Sequence, residues 1–204
     1  IKVSAIQCGS ATLNKEENLK NNIELLDQAA EEKPDFIVFS ELSTTPYWCV
    51  PRYMEKSFEW AETIPGSTTS RLAEKAKRYK CHIIATLFEK EAINGEYYNS
   101  AVVIGPNGSI VLGKLPDGRE INSYRKTHIP YLPSFLDERP YFKPGLGFPV
   151  FETDKATVGI LICYDRLFPE AWRTMALRGA EIVFQPSCVP AWWKKEEKFV
   201  PVAR

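Results

Sequence analysis

Apolar and polar positions alternate over residues 1–8, the two-residue rhythm of a strand with one buried face. The rhythm changes after Asn14. Leu19, Ile23, Leu26 and Ala30 follow at helical spacing and predict an amphipathic helix over 15–31. Asn14, with Glu17 three positions on, has the spacing of a capping box. Phe36 to Phe39 is an unbroken apolar run, as in a strand buried on both faces, and it ends in Ser40 and Glu41. In "PGSTTSRLAEKAKRYK" Leu72, Ala76 and Tyr79 mark the inward side of a second helix, and "CHIIATLFEKE" follows as a strand.

Next, "YYNSAVVIGPNGSIVLGK" reads as a β-hairpin turning at 105–108. "EINSYRKTHIP" predicts a strand running into a loop stopped by Pro130, and the proline-rich stretch 130–149 an ordered, irregular loop. "PVFETD" and "TVGILIC" predict strands paired across a turn near Lys155. Pro169 suits the first position of a helix whose Trp172, Met175, Ala176 and Gly179 share one face, and Gly179 closes it. "AEIVFQPS" is one more buried strand. The order β-α-β-α, several strands, then β-α-β, without repeat or linker, predicts a single α/β domain over 1–204. Strands apolar on two faces require sheets covered on both sides.

Charge narrows the partners. The chain has 26 basic and 26 acidic residues, a balance that argues against nucleic acid or an anionic membrane as main partner. No apolar run is long enough to span a bilayer. The five cysteines include no CxxC pair and there are two histidines, so neither a disulfide framework nor a zinc site is expected, and the setting points to a reducing cytoplasm. "PGLGFP" and "GPNG" are glycine-bearing turns, and neither opens a helix after a strand, so the dinucleotide and P-loop readings fail.

In α/β folds ligands bind beyond the carboxyl ends of strands. Three such ends carry reactive groups: Glu41 after "FIVFS", Lys126 after "EINSYR" and Cys163 after "GILI". A carboxylate can take the thiol proton, the thiolate can attack a carbonyl, and an ammonium can steady the oxyanion. The backbone N–H of Tyr164 is a natural second donor. Singly, each residue has a structural reading: a strand-end Cys is a small buried hydrophobe, a lone Glu or Lys is solvated surface. Their joint placement is what points to chemistry. Cys163 with His128, in the manner of a cysteine protease, is a competing pair that leaves the orienting group arbitrary, so His128 is assigned to the pocket. Cys8, Cys49, Cys81 and Cys188 read as structural, and Trp172 and Met175 as helix core.

"FSELSTTPY", "YRKTHIP" and "GILICYDRLFPEAWR…ALRGAEIVFQPS" together resemble the nitrilase, or carbon–nitrogen hydrolase, superfamily, in the right order along the whole chain. The resemblance implies a Glu–Lys–Cys triad at Glu41, Lys126 and Cys163, with a second Glu at Glu138 in "DERPYFKPG". It also implies an αββα four-layer sandwich assembled as a homodimer or higher homo-oligomer. Family members continue past the point matching "FVPVAR", so this chain is expected to be part of a longer protein. Arg166 matches the arginine with which carbamoylase and β-ureidopropionase branches hold a substrate carboxylate. A guanidinium grips a carboxylate bidentately, although Arg166 could instead pair with Asp165 or Glu170. Tyr47, Trp48, Trp192 and Trp193 follow strand ends and are candidates for the pocket wall.

These readings predict a cofactor-free and metal-free amidohydrolase acting on a small molecule, an N-carbamoyl amino acid or related ureido acid. An amidase or nitrilase using a simple amide or nitrile, carbamoylputrescine-type substrates included, is the alternative. A non-catalytic binding protein of the same fold is a third reading, which the intact Glu–Lys–Cys set opposes.

Overall fold

Two sheets lie face to face in the computed structural model, which describes residues 1–9, 11–49, 54–132 and 136–188. The first half of the chain gives β1 (Val3–Ile6), α1 (Lys15–Ala30), β2 (Phe36–Phe39), α2 (Ser67–Tyr79), β3 (His82–Lys90) and β4 (Tyr97–Ile104). Six short strands follow: β5 (Ile110–Val111), β6 (Gly113–Lys114), β7 (Glu120–Ile121), β8 (Tyr124–Arg125), β9 (Tyr131–Leu132) and β10 (Leu136–Asp137). Then come β11 (Val150–Glu152), β12 (Thr157–Ile160), α3 (Pro169–Leu177) and β13 (Ile182–Phe184), with 3-10 helices at Glu55–Trp60 and Cys163–Leu167.

The first sheet runs β1-β2-β3-β4-β5, with β8 also on β4; the second runs β13-β12-β11-β6-β7. β1, β2 and β3 are parallel, as are β12 and β13. The unbroken run of β2 is explained by its two partners. Ile37 and Phe39 pack under Leu26 and Ala30 of α1 and Leu72 and Ala76 of α2. Phe36 and Val38 face the other way, against Phe151, Val158, Ile160 and Phe184 of the second sheet. Beyond that sheet, Val150 and Leu161 meet Ala171 and Met175 of α3. The layers are therefore helix, sheet, sheet, helix, an αββα sandwich.

Local signals formed as the residues dictate, with five departures. Asn14 caps α1 by accepting from the N–H groups of Glu16 and Glu17 at 3.1 and 3.2 Å. The reciprocal half of the box is missing: Thr12 Oγ1 accepts from Asn14 N–H and donates to Glu17, both at 3.1 Å. The expected strand over 120–126 is two strands in different sheets, β7 on β6 and β8 on β4. The crossing is made at Asn122, whose amide donates to Ile64 O at 2.9 Å, and at buried Ser123, bonded to Glu89. The return arm of the 97–114 hairpin breaks likewise, β5 staying on β4 and β6 joining β11. The loop over 130–149 contains the antiparallel pair β9 and β10. In α3 the buried face is Ala171 and Met175, whereas Ala176 is exposed. Gly179, at φ +85°, ends it in the left-handed conformation a side chain would disfavour. Among the described residues no helix is long and apolar enough to cross a membrane.

His82 couples the two sheets at the start of β3. Its ring stacks on Phe36 at 4.8 Å, its Nε2 lies 3.1 Å from Asp154 Oδ1, and it is 2% exposed. Burial holds its pKa below the usual 6.5, outweighing Asp154, which pulls the other way. A pKa lower in the folded than in the unfolded chain gives stability that is present above the ordinary imidazole value and lost as pH falls below it. Melting temperature is expected to drop between about pH 7 and pH 5.5, and His82→Gln to flatten that slope. An unchanged slope in the variant would assign the pH response to other groups.

Candidate active site

Four chemically active side chains come together from distant places. Glu41 leaves the end of β2, Lys126 the end of β8, Glu138 the end of β10, and Cys163 the end of β12. Lys126 Nζ donates to Glu41 Oε1 at 2.8 Å and to Glu138 Oε1 and Oε2 at 2.8 and 2.9 Å. All three side chains are fully buried. Glu41 accepts further from Asn99 Nδ2 at 2.8 Å, on Oε1, and from the Cys188 N–H at 2.9 Å, on Oε2. Tyr47 OH donates to Glu138 Oε1 at 2.6 Å.

The backbone around each is pinned. Lys126 N–H donates to Asn99 O and Lys126 O accepts from Gly145 N–H, both at 2.8 Å. Gly145 is required there, because a Cβ would sit 2.1 Å from the Arg125 carbonyl oxygen. The turn after Glu41 begins at Leu42, a buried non-glycine residue at φ +49°. It is held from two sides. Asn18 and Asn22, one turn apart on α1, donate to the Thr44 and Ser43 carbonyls at 3.0 and 2.7 Å. Thr86 of β3 donates to the Ser40 carbonyl and accepts from Ser43 N–H.

Cys163 opens its 3-10 helix at φ +46°, where a non-glycine residue is strained. Its N–H donates to Pro186 O at 2.8 Å, and its Sγ lies 3.9 Å from the Cys188 carbonyl oxygen. Asp165, two residues on and fully buried, ties this turn to the Lys126 segment. Oδ2 accepts from Tyr124 OH at 2.6 Å and Ile162 N–H at 3.1 Å; Oδ1 accepts from His128 N–H at 2.9 Å and lies 2.8 Å from His128 Nδ1.

Electrostatics set the resting protonation. Burial disfavours charge on Lys126, yet Glu41 and Glu138 outweigh it and hold its pKa above the usual lysine value. Burial pushes the Glu138 carboxyl up, against the pull of Lys126. Burial, then the charge of Glu41, lift the Cys163 thiol far above its usual range, with Lys126 opposing. The thiol is therefore protonated at rest, and a thiolate can form only as a base takes its proton.

Of the expected pocket residues, Tyr47 reaches the cluster through Glu138, and with Glu41, Gln7, Cys8, Ser40 and Cys188 lines a cavity of about 530 Å³. Trp48 lies in an aromatic cluster with Trp60, Phe88, Tyr141 and Phe142 and is 3% exposed. The His128 ring stacks on Phe168 at 3.6 Å besides its bond to Asp165. Tyr164 follows Cys163 inside the 3-10 helix. Arg166 Nη1 donates to Cys163 O at 3.0 Å and lies 3.6 Å from its Sγ. Trp192 and Trp193 fall outside the described residues. Sequence reasoning missed Asn99, the main chain of Cys188, and the hub at Asp165. Asn18 and Asn22 were missed as well, although a polar pair four positions apart on an amphipathic helix could have signalled a buried polar contact.

Residues 2–198 match the family model for carbon–nitrogen hydrolases. A nitrilase from Pyrococcus abyssi is 36% identical over 189 residues, 92% of this chain and 64% of that protein. An N-carbamoylputrescine amidase from Solanum lycopersicum is 38% identical over 169 residues, 81% of this chain and 52% of that protein. A β-ureidopropionase from Arabidopsis thaliana is 34% identical over 172 residues, 80% of this chain and 38% of that protein. The chain thus spans between about two fifths and two thirds of these relatives' lengths. A crystal structure of a carbon–nitrogen hydrolase from Helicobacter pylori superposes with TM-score 0.80 at 33% identity, over 96% of this chain and 64% of that one.

Proposed function

The chain belongs to the carbon–nitrogen hydrolase family, and from that premise we propose that it is a cysteine-dependent amidohydrolase cleaving the ureido group of an N-carbamoyl amino acid or similar ureido acid. The observation that carries the reading is the buried Glu41–Lys126–Glu138 cluster beside a thiol held at φ +46°. Glu41 takes the thiol proton as Sγ attacks the carbamoyl carbon. Lys126 and the Tyr164 N–H steady the oxygen that becomes anionic. As the intermediate collapses, the C–N bond breaks and Glu41 returns the proton to the departing nitrogen. Glu41 then deprotonates water, which attacks the carbonyl carbon of the S-carbamoyl enzyme and frees Cys163 as thiol. Glu138 holds Lys126 in place, and Tyr47 holds Glu138. No step calls for a cofactor, and the reading places the enzyme in the cytoplasm as a homo-oligomer.

Arg166 carries the acid part of the assignment. Its guanidinium is within 3.6 Å of the nucleophilic sulfur, so a substrate carboxylate near it would sit beside the reacting carbon. Arg166→Ala is expected to raise KM for a carbamoyl amino acid by at least about 30-fold and to affect an uncharged ureido analogue little, the signature of lost ground-state binding. The bond from Arg166 to the Cys163 carbonyl favours a second reading, in which Arg166 only braces the turn and the substrate is uncharged or carries an amine. Turnover of carbamoyl-β-alanine, carbamoyl-D- and L-amino acids, carbamoylputrescine, simple amides and nitriles separates the two. Preference for carbamoylputrescine, with equal losses on all substrates in Arg166→Ala, would select the second.

A further inference from the structure

Glu41 must take the thiol proton on one particular oxygen, and its hydrogen bonds leave little choice. A carboxylate oxygen has about two acceptor sites. Oε1 is filled by Lys126 Nζ and Asn99 Nδ2, each at 2.8 Å. Among the described residues Oε2 holds one donor, the Cys188 N–H at 2.9 Å. The vacant site is therefore on Oε2, and the residue whose N–H Oε2 accepts is the one whose carbonyl lies 3.9 Å from Cys163 Sγ.

We propose that Asn99 is a positioning residue for this reaction: with Lys126 it saturates Oε1 of Glu41 and so directs the thiol proton to Oε2. Asn99 is fully buried on β4 beside Phe88's strand, and its backbone also accepts the Lys126 N–H at 2.8 Å. Its Oδ1, in contrast, is buried with no partner among the described residues. An orphaned acceptor costs stability, and an apolar side chain at this place would avoid it. The amide is there for its donor. Since a carboxylate only accepts, Nδ2 must face Glu41, which fixes the amide's orientation.

The assignment rests on the proposed role of Glu41 as base and is tested without assuming the substrate. Asn99→Ala opens an acceptor site on Oε1 that competes with Oε2 for the thiol proton, so kcat is expected to fall about 10- to 100-fold with KM unchanged and the acid limb of kcat/KM to move. Asn99→Asp keeps the shape, replaces the donor by a second carboxylate, and is expected to move the limb further and serves where Asn99→Ala does not fold. Alkylation of Cys163 by iodoacetamide across the same pH range should shift in parallel. A lower melting temperature with both pH profiles unmoved would overturn the proposal and leave Asn99 as packing. A shifted alkylation profile in a protein that hydrolyses no ureido, amide or nitrile compound would sink the substrate reading and uphold this one.

Discussion

Cys163→Ala is expected to reduce turnover by at least about 10⁴-fold while leaving the fold intact, because it removes the whole covalent route and only one thiol of packing. Melting temperature should change little, since the residue is half-buried and its Cβ is retained. The conformation at this position adds a second readout. At φ +46° an L-residue is strained by about 1–2 kcal/mol, and glycine is free of that strain, against an entropic cost of roughly 0.5–1 kcal/mol. Cys163→Gly should therefore be as inactive as Cys163→Ala and at least as stable. Cys81→Ala, distant in the helix-side core, should keep full activity. Substantial turnover by Cys163→Ala would end the covalent mechanism. A Cys163→Gly protein clearly less stable than Cys163→Ala would show that the turn stores no strain.

Periodicity showed that each sheet is covered on both sides, because burial is written residue by residue; the four-layer order came with the family resemblance. The alternation inside the β2 run, Phe36 and Val38 to one core and Ile37 and Phe39 to the other, is the direct trace of two sheets with outer helices. What periodicity does not carry is the identity of the partner strand. "EINSYR" reads as one extended run across a point where the chain leaves one sheet for the other, with half-buried Ile121 paired in one sheet and buried Tyr124 in the other. The strand pair within 130–149 was illegible for a related reason: two-residue ladders among prolines have no period to read.

The candidate site divides along the same line. Glu41, Lys126 and Cys163 are visible in the sequence as reactive groups at strand ends. Their supports are not, because each acts across a long sequence gap: Asn99 on Glu41, Tyr47 on Glu138, Asp165 on His128. Asn99 sits in an ordinary strand pattern, where a buried amide looks like a packing residue. Cys188 contributes through its main chain, which no side-chain reading could reveal. Asp165 and Glu170 were the alternative partners for Arg166; Asp165 joins the Lys126 segment to the Cys163 turn, and Arg166 bonds the Cys163 carbonyl.

Lys126→Met is expected to harm stability and activity together, and the pH dependence of the stability loss tests the electrostatic account. Among the described residues Lys126 is the one cation paired with the two fully buried carboxylates. Removing one partner of a buried ion pair costs about 3–5 kcal/mol, because the charges left behind have neither water nor counterion. For a chain of this size that corresponds to a melting temperature lower by roughly 6–20 °C. Without Lys126, burial and then the charge of Glu41 raise the Glu138 carboxyl in the folded state further above its value in the unfolded chain. A folded-state pKa raised above the unfolded value favours folding below the unfolded value and loses that advantage as pH rises. The deficit of Lys126→Met relative to the parent protein should therefore be smallest near pH 5 and grow toward pH 8. Turnover should fall by at least about 10³-fold at every pH, since the variant lacks the oxyanion donor and no longer fixes Glu41 opposite the thiol. Glu138→Gln should restore much of the stability when added to Lys126→Met, by halving the uncompensated charge, while restoring no activity. A deficit independent of pH would mean that Lys126 stabilises by packing alone and that the carboxylates are not held against it as ions.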